Sequence, residues 1–233
     1  FTGMLAGQSR LLPFAEATGA TVNTDRRQTQ RISAMISGGE RVTVNLITLR
    51  TTRYDATVPE EATLFSVEHP GGFGELDSAP GKVEQGDGFI RVTVPVEEGE
   101  VSLALVERSV SRRQYSLDSG DFERLVLDVR AGRIAVDAAL SKSFDTAHDL
   151  LRRARAIEQE IGSLEDRQRE LSSEQGRLRA NLDAVEVESL RNRYIEALDS
   201  TETEIVAAAD KLDALRKELK TVGTDLIALF DTN

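Results

Sequence analysis

Residues 150–185 read LLRRARAIEQEIGSLEDRQRELSSEQGRLRANLDAV. In this stretch Leu150, Ala154, Ile157, Ile161, Leu164, Gln168, Leu171, Gln175, Leu178, Leu182 and Val185 recur at alternating intervals of four and three residues. That rhythm is a coiled-coil seam, because it returns the a and d positions to one stripe of a helix. Tyr194, Leu198, Thr201, Ile205, Ala208, Leu212, Leu215, Leu219, Val222, Leu226 and Leu229 repeat it. No proline follows Pro95, so nothing removes a donor from either helix.

The two series also match each other. A reversal near Glu186–Ser189 sets Leu182 opposite Tyr194, and the same register pairs Leu178 with Leu198, Leu171 with Ile205, Leu164 with Leu212, Ile157 with Leu219 and Leu150 with Leu226. Each layer joins an a to a d position, as an antiparallel pair requires. The spacing therefore predicts an intramolecular hairpin over 148–233. An arm of ~38 residues would reach roughly 55–60 Å. Gln175 facing Thr201 and Gln168 facing Ala208 would be polar layers that pin the register. Gly176 level with Ser200 leaves a hinge in the arm as the other reading of the same place. Flanking charges do not decide the pairing.

Upstream, Asp118-Ser119-Gly120-Asp121 is an N-cap cluster, with Asp121 and Glu123 suited to a first helical turn. Phe122, Leu125, Val126 and Val129 fall on one helical face, and Gly132 is a stop. Residues 118–147 thus read as linking helices between the arm and what precedes it.

Residues 1–117 alternate with period two. Ile32, Ala34 and Ile36 share a face; Ser37-Gly38-Gly39-Glu40 turns the chain; Val42, Val44 and Leu46 resume. Further strands fall at Thr51–Val58, Thr63–Glu68, Ile90–Val96 and Val101–Leu105, with a turn over Pro95–Glu100. All five prolines and most glycines lie in this half. Half a dozen short strands with one polar face each predict an antiparallel β-sandwich. Ser9–Phe14 and Ala20–Thr24 read as two more strands, and 1–29 as completing a sheet of an adjoining domain. The fold class is α+β, a sandwich followed by a helical hairpin.

The chain has 233 residues, 40 acidic against 29 basic, for a net charge of −11. Residues 1–117 carry 15 against 12, and 118–233 carry 25 against 17. This balance argues against nucleic acid as a partner, which needs clustered positive charge. No apolar run approaches the ~18 residues of a membrane-spanning helix. There is no Cys, hence no thiolate ligand, thiol nucleophile or disulfide. The chain starts at Phe1, which reads as a piece whose targeting segment lies outside it.

The candidate chemistry is sparse. In Val67-Glu68-His69-Pro70 the carboxylate and imidazole are strand neighbours that point to opposite faces, so the pair reads as a strand end closed by proline. Asp145, His148 and Asp149 lack the third ligand and spacing of a metal site. Glu97, Glu98 and Glu100, and Asp118 with Asp121, lack the alternating ligands of a calcium loop. Arg152, Arg153 and Arg155 read as a solvated helix face. No G-x-S-x-G, phosphate-binding loop or dinucleotide motif is present. No catalytic, cofactor or metal residue is assigned.

Val67-Glu68-His69-Pro70, Val92-Thr93-Val94-Pro95 with Gly99-Glu100 and Val106-Glu107, Arg177-Leu178-Arg179-Ala180-Asn181-Leu182 and Leu190-Arg191-Asn192-Arg193-Tyr194 resemble an uncharacterised prokaryotic family related to mucoidy-inhibitor-type proteins. In that family a β-sandwich domain of unknown function accompanies a coiled coil. The resemblance covers roughly residues 30–230. After His69-Pro70 the family pattern has basic residues and a Trp, where this chain has Gly71-Gly72-Phe73. It implies a larger, exported, envelope-associated bacterial protein, periplasmic or secreted, and supplies no catalytic residues.

The reading is therefore a non-catalytic structural or protein-interaction module, the C-terminal part of a larger protein. Its contact would be the arm tip around Val185, Glu186, Val187 and Glu188. A second copy packing on Ile195, Val206 and Ala209 would make a homodimer with four helices. The alternative is a hydrolase using carboxylates of the sandwich, with an acid in a deep cleft.

Overall fold

The computed structural model of the chain describes residues 19–231. Eight strands and three helices follow in the order β1 (Thr21–Gly38), β2 (Arg41–Thr57), β3 (Leu64–Pro70), β4 (Glu75–Ser78), β5 (Lys82–Gly86), β6 (Phe89–Pro95), β7 (Glu100–Ser116), α1 (Gly120–Arg130), β8 (Ile134–Ala135), α2 (Ala138–Ala184) and α3 (Glu188–Asp231). One sheet has the order β4-β7-β2-β1-β8 and the other β3-β6-β5. The fold is α+β, two mostly antiparallel sheets followed by a long helical region.

Two compact units divide the chain, and the division does not fall at Leu117. Residues 19–29 and 47–110 form one, and residues 30–46 and 111–231 the other. The long strands β1, β2 and β7 each contribute to both.

In the first unit, alternation builds a sandwich. Tyr54 and Ala56 of β2 and Val101, Leu103 and Leu105 of β7 face Ile90, Val92 and Val94 of β6, and Phe65 and Val67 of β3 pack against them. Burying each such aliphatic side chain contributes about 1.5–3 kcal/mol before chain entropy is counted. β3 pairs antiparallel with β6 from Leu64↔Pro95 to Pro70↔Phe89, and β5 with β6 from Lys82↔Thr93 to Gly86↔Phe89. β4 and β5 fall where the sequence showed no strand. They are short and largely exposed, so they carry almost no apolar signal. Ala20–Thr24 was read as a separate strand; Thr21–Thr29 instead begins β1, within this chain's own sheet. Ser9–Phe14 lies outside the described residues.

In the second unit the Gly39-Glu40 turn closes the β1–β2 hairpin, with Gly39 at φ +70°. Positive φ at the first central residue is what a primed turn asks for and glycine supplies without strain. Ile32, Val42, Val44 and Leu46 pack against Phe122 and Val126 of α1, Phe144 of α2 and Phe230 of α3. Phe230 meets Phe122 edge-on at 5.7 Å and Phe144 at 5.8 Å between centroids. Ser119 caps α1, its Oγ accepting from Phe122 N–H at 3.2 Å. Gly132 ends it at φ +70°, with Gly132 N–H to Val129 O and Arg133 N–H to Asp128 O, both 2.9 Å, closing a Schellman motif.

Where the sequence reading opened the hairpin at residue 148, α2 already begins at Ala138, capped by Asp137 Oδ1 on Leu140 N–H at 2.8 Å. Nothing between Ala138 and Ala147 breaks a helix, and Phe144, Ala147 and Leu151 give that turn a buried face of its own. At 47 residues α2 is about 70 Å long. α3 returns along it. Ile157, Leu215 and Val222 are buried together, with Leu150, Ala154, Ile161, Leu164 and Leu219 packed on them.

Ion pairs flank the seam at heptad spacing. Arg153 pairs with Glu218 at 2.7 Å, Glu160 with Lys211 at 2.6 Å and Arg167 with Glu204 at 2.8 Å, each one heptad from the next. Glu165 with Arg216 at 2.9 Å lies on the other side of the seam. The Gln175–Thr201 layer differs from expectation. Thr201 Oγ1 donates to Ala197 O at 2.7 Å within its own helix, and Gln175 bonds Glu202. The hydroxyl proton goes to the carbonyl four residues back, and the Gln175 amide goes to Glu202 instead of across to Thr201. Both helices run unbroken through this level.

Candidate functional site

The sandwich core of the first unit is polar at one place. On β2 the inward positions continue from Ala56 and Tyr54 to Thr52 and Arg50; on β7 they continue from Leu105 to Glu107; on β3 from Phe65 and Val67 to His69. Period-two alternation thus brings five polar side chains to the faces that elsewhere hold Val and Leu. His69 is 1% exposed and Glu107 0%.

These groups form a chain. Tyr54 Oη lies 2.7 Å from His69 Nδ1, and His69 Nε2 lies 3.0 Å from Glu107 Oε2. Arg50 donates to the same Oε2 from Nε at 2.8 Å and from Nη2 at 2.6 Å. A carboxylate only accepts, so His69 Nε2 donates to Glu107 Oε2, and the Tyr54 hydroxyl can donate to a bare Nδ1. Arg50 balances the charge of Glu107. Burial pushes the Tyr54 phenol above its ordinary range, while Arg26 pulls the other way. A phenol kept protonated suits its donor role. The Arg50 guanidinium closes the assembly under the Phe73 ring, 4.1 Å from its centroid.

Glu68 and His69 point to opposite faces, as strand neighbours do. Glu68 turns to the outer face, where it accepts from Arg91 Nη2 at 2.5 Å, while Arg91 Nη1 reaches Glu84 at 3.0 Å. Cross-strand register dictates this row, since Arg91 lies opposite both Glu68 and Glu84. His69 is more than a strand end, however. Its partner is Glu107, thirty-eight residues on, a pairing no local motif announces. Parity was the available signal, since Glu107 extends the inward series Val101, Leu103, Leu105.

The remaining candidates are not brought together. Asp145 accepts from Arg130 Nε at 3.0 Å rather than joining His148. Arg153 and Arg155 pair with Glu218 and Glu123. Glu97, Glu98 and Glu100 line an open surface hollow. Among the described residues no group of three or more His, Asp or Glu could hold a metal ion, and no helix is long and apolar enough to cross a membrane.

The arm tip is braced. α2 ends at Ala184, Val185 is extended, and α3 starts at Glu188. Arg191 Nη1 donates to Val185 O at 3.2 Å and Leu182 O at 3.4 Å, satisfying carbonyls at the α2 C-terminus. Leu190 and Arg191 N–H both close on Val187 O. Val187 is 57% exposed and Leu190 39%.

No family model matches the chain, nor does any curated protein or solved structure. The class defined here is an α+β protein with a strand-rich part and long C-terminal helices.

Proposed function

We propose that the chain is a non-catalytic structural and protein-interaction module of a larger protein. The observation that carries this reading is the braced tip: Arg191 holds the turn while Val187 and Leu190 stay open to solvent. Contact through a preorganised apolar tip costs little ordering entropy. The seam residues of the arm are occupied by each other, which leaves the tip and outer faces to a partner. The envelope setting comes from the family resemblance alone.

Against the hydrolase alternative stands the burial of Glu107 and His69, whose Oε2 and two ring nitrogens already bond to Arg50, Tyr54 and each other. An acid that works on a substrate has to meet it. The test is a photo-reactive residue at position 187 of the full-length protein in its own cells. A discrete cross-linked product that is lost with Leu190→Glu supports the reading. Products only from a mid-arm control at Gly162, or none, overturn it.

A second reading, association through the arm, is favoured by the exposure of Ile195 and Val206 on α3. Light scattering decides it: a mass of twice 25.6 kDa that Val206→Glu halves would support a homodimer, and a monomer would dismiss it.

A further inference from the structure

Among the described residues of the first unit, two buried side-chain oxygens take no hydrogen bond from the protein, Thr52 Oγ1 and Glu107 Oε1. We infer that they share one ligand, an internal water molecule that completes the Arg50–Glu107–His69–Tyr54 chain.

The strand register places them together. Val58 N–H bonds Gly99 O at 2.8 Å, and Arg50 bonds Glu107. Both fit one antiparallel alignment of β2 with β7, neighbours in the sheet, in which Arg50 lies opposite Glu107. Thr52 is the next inward residue on β2 and therefore diagonal to Glu107, at roughly 7 Å between such side chains. One water spans that gap with two ordinary hydrogen bonds. His69 of the opposite sheet bonds both Tyr54 and Glu107, the residues on either side of the Thr52 row.

Charge selects the ligand. Arg50 is already spent on Glu107 Oε2, so an anion would find no free positive charge there and would face a carboxylate oxygen that only accepts. A cation such as calcium requires about six oxygen ligands, and the site offers one carboxylate oxygen and one hydroxyl. Water donates to Oε1 and accepts from the Thr52 hydroxyl, and such sites are routine for orphaned buried groups.

Thr52→Val tests the inference through its sign, because the two side chains have nearly the same shape. If the hydroxyl holds a water, the substitution strips that water of a partner and lowers Tm by about 2–4 °C. If the hydroxyl is dry, removing an unsatisfied buried group leaves Tm unchanged or raised, and the inference fails. Oxygen-17 relaxation dispersion should count one fewer long-lived water in Thr52→Val than in the wild type; equal counts overturn it. Independently of any variant, diffraction from the wild type should show a peak within hydrogen-bond distance of both atoms. A direct Thr52–Glu107 contact, or no peak, would refute it.

Discussion

Glu107 illustrates how much can hang on one carboxylate. A single oxygen, Oε2, accepts from Arg50 twice and from His69. Glu107→Ala would leave a partly buried guanidinium and a fully buried imidazole without their acceptor, a loss of about 3 kcal/mol, visible as a lower urea midpoint with an unchanged m-value. Tyr54→Phe removes one hydrogen bond and should cost only about 1–2 kcal/mol. The surface carboxylates act through pH. The Ser102 hydrogen bond and Arg53 hold Asp55 below its ordinary 3.8, and Lys82 with Arg91 hold Glu84 below 4.5. Each binds its proton more readily once unfolded, so its stabilisation is present above those ordinary values and fades as pH falls through the lower folded ones. Thermal melts from about pH 6 to about pH 3 should show Glu84→Gln with a shallower acid decline than the wild type. The cores were legible residue by residue, because alternation marks burial. The polar chain was not, because its members sit on three strands and each looks like an exception to its own pattern.

At the scale of elements the helices were the readable part. A seam repeated over five heptads fixes partner, direction and register together, whereas β4, β5 and β8 are four, five and two residues long and too short for a period to emerge. The ion-pair ladder was hidden for a different reason: many cross-pairs are chemically acceptable, and only the rotation of the two helices selects among them. Leu171, fully buried in the seam, should lose about 2–4 kcal/mol on Leu171→Ala, measured by chemical denaturation. Gln175, half-buried at a seam position, occupies a site where Gln175→Leu should raise Tm. At the tip, Arg191→Ala should speed hydrogen exchange at residues 185–190 while Leu171 stays protected, since only the turn loses its brace.

Across the whole molecule the two compact units follow contacts and not sequence order, which explains why a single cut at Leu117 was the natural reading of composition and yet not the physical division. Composition changes along the chain, but a hairpin strand packs wherever its face finds a cover. The second unit draws its core from residues as distant as Ile32 and Phe230. Phe230→Ala should therefore cost about 3–5 kcal/mol and loosen exchange in the β1–β2 hairpin as well as in α3.

That distant core has a consequence for biogenesis. Helices α2 and α3 meet across a three-residue turn, so their zippering needs little loop closure and should be quick. The β1–β2 hairpin is made before α3, and α1 with the first turns of α2 can cover its apolar side only in part until Leu226 and Phe230 have been made. A nascent chain stalled before those positions would leave this shared core open beside Phe122 and Phe144, and completion of α3 would be what closes it.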